Sequence, residues 1–284
     1  MVTSFNFVSA KGAEMPLLGN PYFNLTSIDG FTTVQSNLAS VTVPFVDGDT
    51  LTNIQAQPRS VVLYLRLREA ANIETAKRYI FQYIKPKLQG TLQLEQDGRS
   101  IELVGTVEAI TLPRFEQGCT MAVTIHCSQP YWQDINFVVA EISQIIDLHY
   151  FPIPEGGLAF PVDGVPFGMY DDDLTRELEN EGDVETGMQI TIIALGYVTN
   201  PKIYNTQTGE YIGVTDTLQG NDAVVISTIK GQKTITKNGV NIIDKITAGS
   251  TFLQLDTGTN EFTIQADSGI DNVYFTLTFK QLYV

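Results

Sequence analysis

The residues able to do chemistry are few and badly placed for it. The chain has two histidines, two cysteines and 32 carboxylates. A zinc site needs His and Cys or Asp ligands at short spacings. His126 lies between Ile125 and Cys127, and His149 precedes an aromatic-Pro stretch far along the chain, so spacing nominates no metal site. Cys119 and Cys127 fall on one face of an alternating segment, Cys119-Thr120-Met121-Ala122-Val123-Thr124-Ile125-His126-Cys127. Eight strand steps at ~3.3 Å separate their Cα atoms by roughly 26 Å. A disulfide needs less than about 7 Å. Two buried thiols are the expectation.

The acidic run from Asp171-Asp172-Asp173 through Glu177, Glu179, Glu181 and Asp183 invites a calcium reading. An EF-hand loop started at Glu177 aligns Glu179, Glu181 and Gly182, but its twelfth position is Met188 instead of the bidentate Glu. A solvated loop is expected there. No nucleophile elbow, P-loop or Rossmann glycine set occurs. Glycoside cleavage needs two carboxyls ~5–9 Å apart across a cleft, and no pair stands out. The sequence therefore gives no catalytic, cofactor-binding or metal residues, and an enzyme is not expected.

What the chain writes clearly is strands. From 182 to 284, turn signals recur every ten residues or so: Asn200-Pro201, Thr208-Gly209, Gly220-Asn221, Lys230-Gly231, Asn238-Gly239, Thr257-Gly258 and Ser268-Gly269. Between them run alternating segments such as Val273, Phe275, Leu277 and Phe279. That pattern predicts an all-β sandwich or barrel.

The first half differs. A strand is expected at Val41, Val43 and Phe45, stopping at Asp47-Gly48. Another spans 60–68, with Val61, Leu63, Leu65 and Leu67 on one face and Arg66 and Arg68 pointing away. Residues 73–85 predict a helix, with Asn72 as N-cap. Its apolar stripe is Ile73, Ala76, Ile80, Phe81 and Ile84, and Pro86 ends it. Tyr79 and Tyr83 read as packing beside that stripe. Leu92 and Leu94 alternate up to Asp97-Gly98, a type I′ turn signal, and Ile101 and Leu103 alternate down toward Ile110. Residues 113–118 turn into the cysteine strand. Trp132, the only Trp, is expected to close this domain's core. The fold class is thus mainly β in two domains, 1–136 carrying helix 73–85 and 137–284. Residues 150–170 are a Pro/Gly-rich excursion, an interaction arm or an irregular strand connection.

Seventeen basic against 32 acidic residues give a net charge of −15. Such a chain has no cation surplus with which to bind nucleic acid phosphates. No segment reaches the ~20 apolar residues of a helical membrane span. The N-terminal Met1-Val2-Thr3-Ser4-Phe5-Asn6-Phe7 lacks the basic start and apolar block of a signal peptide, so cytoplasmic folding is expected.

The C-terminal half also resembles a known family. Gly182-Asp183-Val184, Tyr197 through Ile203, Thr208-Gly209-Glu210-Tyr211-Ile212, Lys233 through Thr236, Asn238-Gly239-Val240-Asn241, Ser250-Thr251-Phe252, Ala266 through Gly269 and Gln281 through Val284 occur in the order seen in distal tail (Dit) proteins of long-tailed siphophages. The first half is similar in its order of strand, helix, Asp97-Gly98 hairpin and the closing 128–134 segment. The resemblance implies an N-terminal β-sandwich with a helix and a C-terminal galectin-like β-sandwich. It also implies a homo-hexameric ring at the tail tip, in the virion, joining the tail tube protein to a tail-associated lysin and a receptor-binding protein. DNA would pass the channel without specific binding, and an acidic lumen would repel it. Two alternatives stay open: a carbohydrate-binding adhesion module, and a tube-like protein that stacks in many rings.

Overall fold

The computed structural model describes residues 2–32, 34–42, 44–45, 47–68, 73–112, 119–143, 145–147, 168–170 and 174–284, with backbone alone at 145–147 and 168–170. The chain divides into two compact units, Met1–Ile135 with Leu282–Val284, and Asn136–Gln281. The second unit is therefore an insertion ahead of the last three residues of the first. Those three residues, expected in the second body, lie in the first.

The first unit contains β1 (Val2–Ser9), β2 (Glu14–Pro16), β3 (Phe23–Asp29), β4 (Ser36–Val41), β5 (Thr50–Ala56), β6 (Arg59–Leu67), α1 (Ile73–Tyr83), β7 (Gln89–Gln96), β8 (Arg99–Thr111), β9 (Thr120–Cys127) and β10 (Trp132–Asp134). All the strands but β4 and β5 join one sheet, in the order β2-β1-β7-β8-β9-β6-β3 with β10 beside β8. The long strand β8 serves both halves. Its first part pairs with β7, its last part with β9, and the register shifts between Val107 and Ala109. An extra residue of this kind bends a strand, which lets the halves face each other. Phe5, Phe7 and Leu92 from one half share a single buried cluster with Leu63, Leu65 and Val123 from the other.

Local sequence explains most of this. Asp97 (φ 53°) and Gly98 (φ 81°) form the left-handed pair that a two-residue hairpin turn requires. Helix α1 buries Ala76 and Ile80 against the core, and Ile84 follows one turn on. Burial of each isoleucine stabilises by about 1.5–3 kcal/mol. The stripe is narrower than expected: Ile73 is exposed and Phe81 only half-buried, under the Lys77 ammonium. Tyr79 stacks on Tyr22 at 4.4 Å and meets Tyr83 at 5.2 Å, so the tyrosines pack at the rim. The N-cap expected at Asn72 and the turn at 113–118 lie outside the described residues. Cys127 is buried and Cys119 half-buried.

The second unit has two main sheets over one core. In the first sheet the order is 138–143, 273–279, 186–194, 223–227, 234–237, 240–241, with 254–255 beside 186–194. The second runs 175–180, 258–265, 202–205, 211–213. Ile190, Ile192, Phe275 and Leu277 from one sheet share a cluster with Phe262, Ile264 and Ile203 from the other. The turn residues take the expected positive φ at Asn200, Gly209, Asn221, Gly231, Asn238, Gly239, Gly258 and Gly269. The acidic run is a correction. Glu177 and Glu179 are not in a loop but on the outer face of a strand, Thr175–Asn180, whose Leu178 and Asn180 point inward. Glu177 sits directly across from Glu261. Of the 150–170 excursion, Gly168–Tyr170 pairs with Ile145–Asp147; the rest lies outside the described residues, as do Asp171–Asp173.

One ionic cluster ties three turns of this unit together. Lys237 Nζ lies 3.1 Å from Asp216 Oδ2 and 3.0 Å from Asp222 Oδ2, and Lys245 Nζ lies 3.1 Å from Asp216 Oδ1. Asp222 also accepts from the Gln219 amide (2.9 Å) and from Asn238 Nδ2 (2.8 Å). The Gln219 amide first, then Asn238 and Lys237, hold the Asp222 carboxyl down at about 2. Burial opposes ionisation of Asp216, but the two ammoniums outweigh it and keep its pKa low. An unfolded Asp titrates near ~3.9. Between that pH and 2 the unfolded chain binds the extra proton, so this contribution is complete above about pH 4 and is lost as pH falls through 2. An Asp222→Asn variant should be less stable than wild type at neutral pH, and the difference should close as the pH approaches 2. Urea titrations across that range measure it; a constant offset would contradict the assignment.

Candidate functional site

Among the described residues, no group of three or more His, Cys, Asp and Glu could hold a metal ion. His126 points outward and exposed from β9, and His149 lies outside the described residues. Burial pushes the Cys127 thiol up to about 11, with the Arg59 guanidinium opposing, so at neutral pH it is no nucleophile. The surfaces of interest are apolar ones.

The foremost is the ribbon β4–β5. Among the described residues it pairs only with itself, Ser36 opposite Ala56 through Val41 opposite Thr50. Every residue of β4 is exposed, and so is β5 up to Gln55. Leu38 (58 % exposed) sits directly across from Ile54 (63 %), and Val41 and Leu51 are equally open. Phe45 (φ 66°), expected within a strand, sits in the connecting turn with its ring fully in water. Neither strand carries a charged residue. An isolated two-stranded hairpin is marginal in water, and an exposed apolar ribbon of this kind marks an interaction site. Sequence reading missed it as a hairpin. The Asp47-Gly48 turn signal was present, but the bulge between Ala39 and Ser40 breaks the alternation on either side.

The ribbon's root is fixed to the body. The Phe31 carbonyl accepts from Arg59 Nη1 (2.9 Å) and Trp132 Nε1 (3.2 Å). The Phe31 ring meets Phe5 and Trp132 edge-on, at 5.7 and 5.1 Å. Trp132, 3 % exposed, also starts β10, which pairs on one side with β8 and on the other with the chain's last strand, Leu282–Tyr283. Tyr283 donates from its hydroxyl to Asp134 Oδ2 (3.0 Å) and lies under the Arg99 guanidinium at 5.0 Å.

Two further features bear on assembly. Among the described residues, the first unit's sheet ends at β2 and β3, each paired on one side only. Charge is divided unevenly: the first unit has ten basic and twelve acidic residues, the second seven and twenty. In the second unit, Ile193, Leu195 and Tyr197 alternate into solvent, and Phe137 lies open under the Lys280 ammonium at 4.7 Å.

Residues 181–283 match the family model described as the C-terminal domain of the siphovirus-type tail component. No curated protein matches the chain by sequence. Among solved structures, the chain is similar to the SPP1 Dit (gp 19.1) protein, described as a paradigm of the hub adsorption apparatus in Gram-positive-infecting phages; the TM-score is 0.67 at 12% identity, over 99% of each chain. It is also similar to a chain of the phage P2 baseplate in its activated conformation with calcium, with a TM-score of 0.50 at 10% identity over 98% of each. Residues 181–283 thus match the C-terminal domain of that tail component, and along its whole length the chain shares the fold of the SPP1 Dit protein.

Proposed function

We propose that the chain is a non-enzymatic structural hub of a phage tail tip, and that its first unit assembles head-to-tail into a closed ring of six copies. One observation carries this reading: the β4–β5 ribbon leaves its apolar side chains in water, and neither of its strands carries a charged residue. Copies of like net charge meet with least repulsion through uncharged surface. A head-to-tail contact that closes also covers sheet edges such as β2 and β3 that would otherwise invite uncontrolled pairing. The hub role of the SPP1 protein supports the same reading.

The ring joins the tail tube protein on one side to the tail-associated lysin and the receptor-binding protein on the other. DNA crosses it unbound. The expected acidic lumen needs revision, because the excess of carboxylates belongs to the second unit and the ring-forming unit is nearly neutral. A near-neutral wall still offers passing DNA no surplus of cations. The protein is made in the host cytoplasm and ends in the virion. Immunogold electron microscopy with antibody to this chain tests the placement: label confined to the distal end of the tail is expected. Label along the tube would point to a stacking tube protein, and particles without label would overturn the reading.

A further inference from the structure

Arg59 is the oddest residue in the first unit. It begins β6 with its side chain on the inward face, is 3 % exposed, and has no carboxylate partner among the described residues. Only Nη1 finds an acceptor among the described residues, the Phe31 carbonyl; Nε and Nη2 find none. Desolvating a guanidinium for one neutral hydrogen bond is costly. Fold stability does not account for it, since an apolar side chain of similar volume would fill the space at no such cost. Its position suggests another use. The bond it makes is to the segment entering the β4–β5 ribbon, and Arg59 itself lies three residues beyond the end of β5. Arg59 thus grips both legs of the ribbon where they leave the body.

The other contacts converge on the same point. Trp132 donates to the same carbonyl, and the Phe31 ring is boxed by Phe5 and Trp132. Just before it, Gly30 (φ +71°) passes so close to β6 that an added Cβ would lie 2.1 Å from the Ser60 carbonyl oxygen. A carbonyl held by two donors, a ring held by two rings and a backbone pressed on a strand leave the ribbon little freedom at its base.

We propose that Phe31, Arg59 and Trp132 form a latch that aims the ribbon, so that the arm of one copy is already oriented for the copy beside it. This rests on the ring reading above and adds the positioning residues. A pre-aimed arm loses less orientational freedom on docking, and affinity rises by that saving. Arg59 and Trp132 are positioning residues here; they need not touch the neighbouring copy.

The test pairs assembly with direct observation of the arm in the full-length chain. Arg59→Met keeps bulk and removes the donor; Trp132→Phe keeps a ring and removes the N–H. Arg59→Met should unfold at or above the wild-type temperature, while the concentration for half-assembly rises by about tenfold or more. Trp132→Phe should shift it in the same direction. Arm freedom is read by spin-label distances between Asn37→Cys and Glu95→Cys in a Cys119→Ser background, measured at dilution where the chain is monomeric. A narrow distance distribution is expected with Arg59 present and a clearly broader one with Arg59→Met. Equal widths would overturn the latch, as would an Arg59→Met protein that unfolds well below wild type, which would make Arg59 an ordinary core residue. A wild-type chain that never assembles would remove the ring reading alone, because the distance widths still decide the latch.

Discussion

A chain carrying Leu38→Asp and Ile54→Asp should remain monomeric at concentrations where the wild type forms its full oligomer. The two side chains face each other across β4 and β5 and are both more than half exposed, so neither supports the fold of its own copy. Surface substitutions of that sort usually change stability by no more than about 0.5 kcal/mol. Burial of a leucine or isoleucine against a neighbour contributes roughly 1.5–3 kcal/mol. The double variant loses both contributions and would also bury two carboxylates without partners. In a closed ring the loss recurs at every interface, so assembly should fail outright. Light scattering after size-exclusion chromatography reads the mass, and the thermal unfolding profile checks that the monomer is intact. An oligomer of undiminished size would show that the arm is not the joint.

Deleting Leu282–Val284 should destabilise the first unit, although these residues follow the whole second unit in sequence. Tyr283 is 8 % exposed, bonds to Asp134 and packs under Arg99. Loss of a buried aromatic of this size costs about 3–5 kcal/mol, against a total of roughly 5–15 kcal/mol for a typical domain. The last strand also covers one edge of β10, so Trp132 should loosen with it. Trp132 is the sole tryptophan, and its fluorescence reports the first unit alone. The tryptophan-detected urea midpoint should fall sharply, while the transition of the second unit stays where it was. Tyr283→Ala should reproduce most of the effect. An unchanged midpoint would mean the terminal strand is ornamental.

These two regions are also where the sequence was least legible, and for physical reasons. Alternation reveals a strand only when one face is buried. Val273, Phe275, Leu277 and Phe279 are all buried and were readable at once. The arm has water around it on every side, so nothing selects an alternating pattern, and a bulge interrupts what pattern remains. The Asp97-Gly98 and Asn238-Gly239 turns were readable because left-handed backbone restricts residue type. The home of Leu282 and Tyr283 was not, since their partners lie about 150 residues upstream and no local rule spans that distance. Arg59 escaped notice because an arginine at a strand's start ordinarily points to water. The acidic run misled in the opposite sense: Glu177 and Glu179 suggested a loop, while Leu178 and Asn180 between them carried the inward half of a strand.

The most direct test is the native mass of the full-length wild-type chain. A hub that closes through its first unit should yield a discrete species of six times 31.3 kDa, with no larger polymers. A population that stays at 31.3 kDa at every concentration, or one that grows without limit into tubes, would contradict the account.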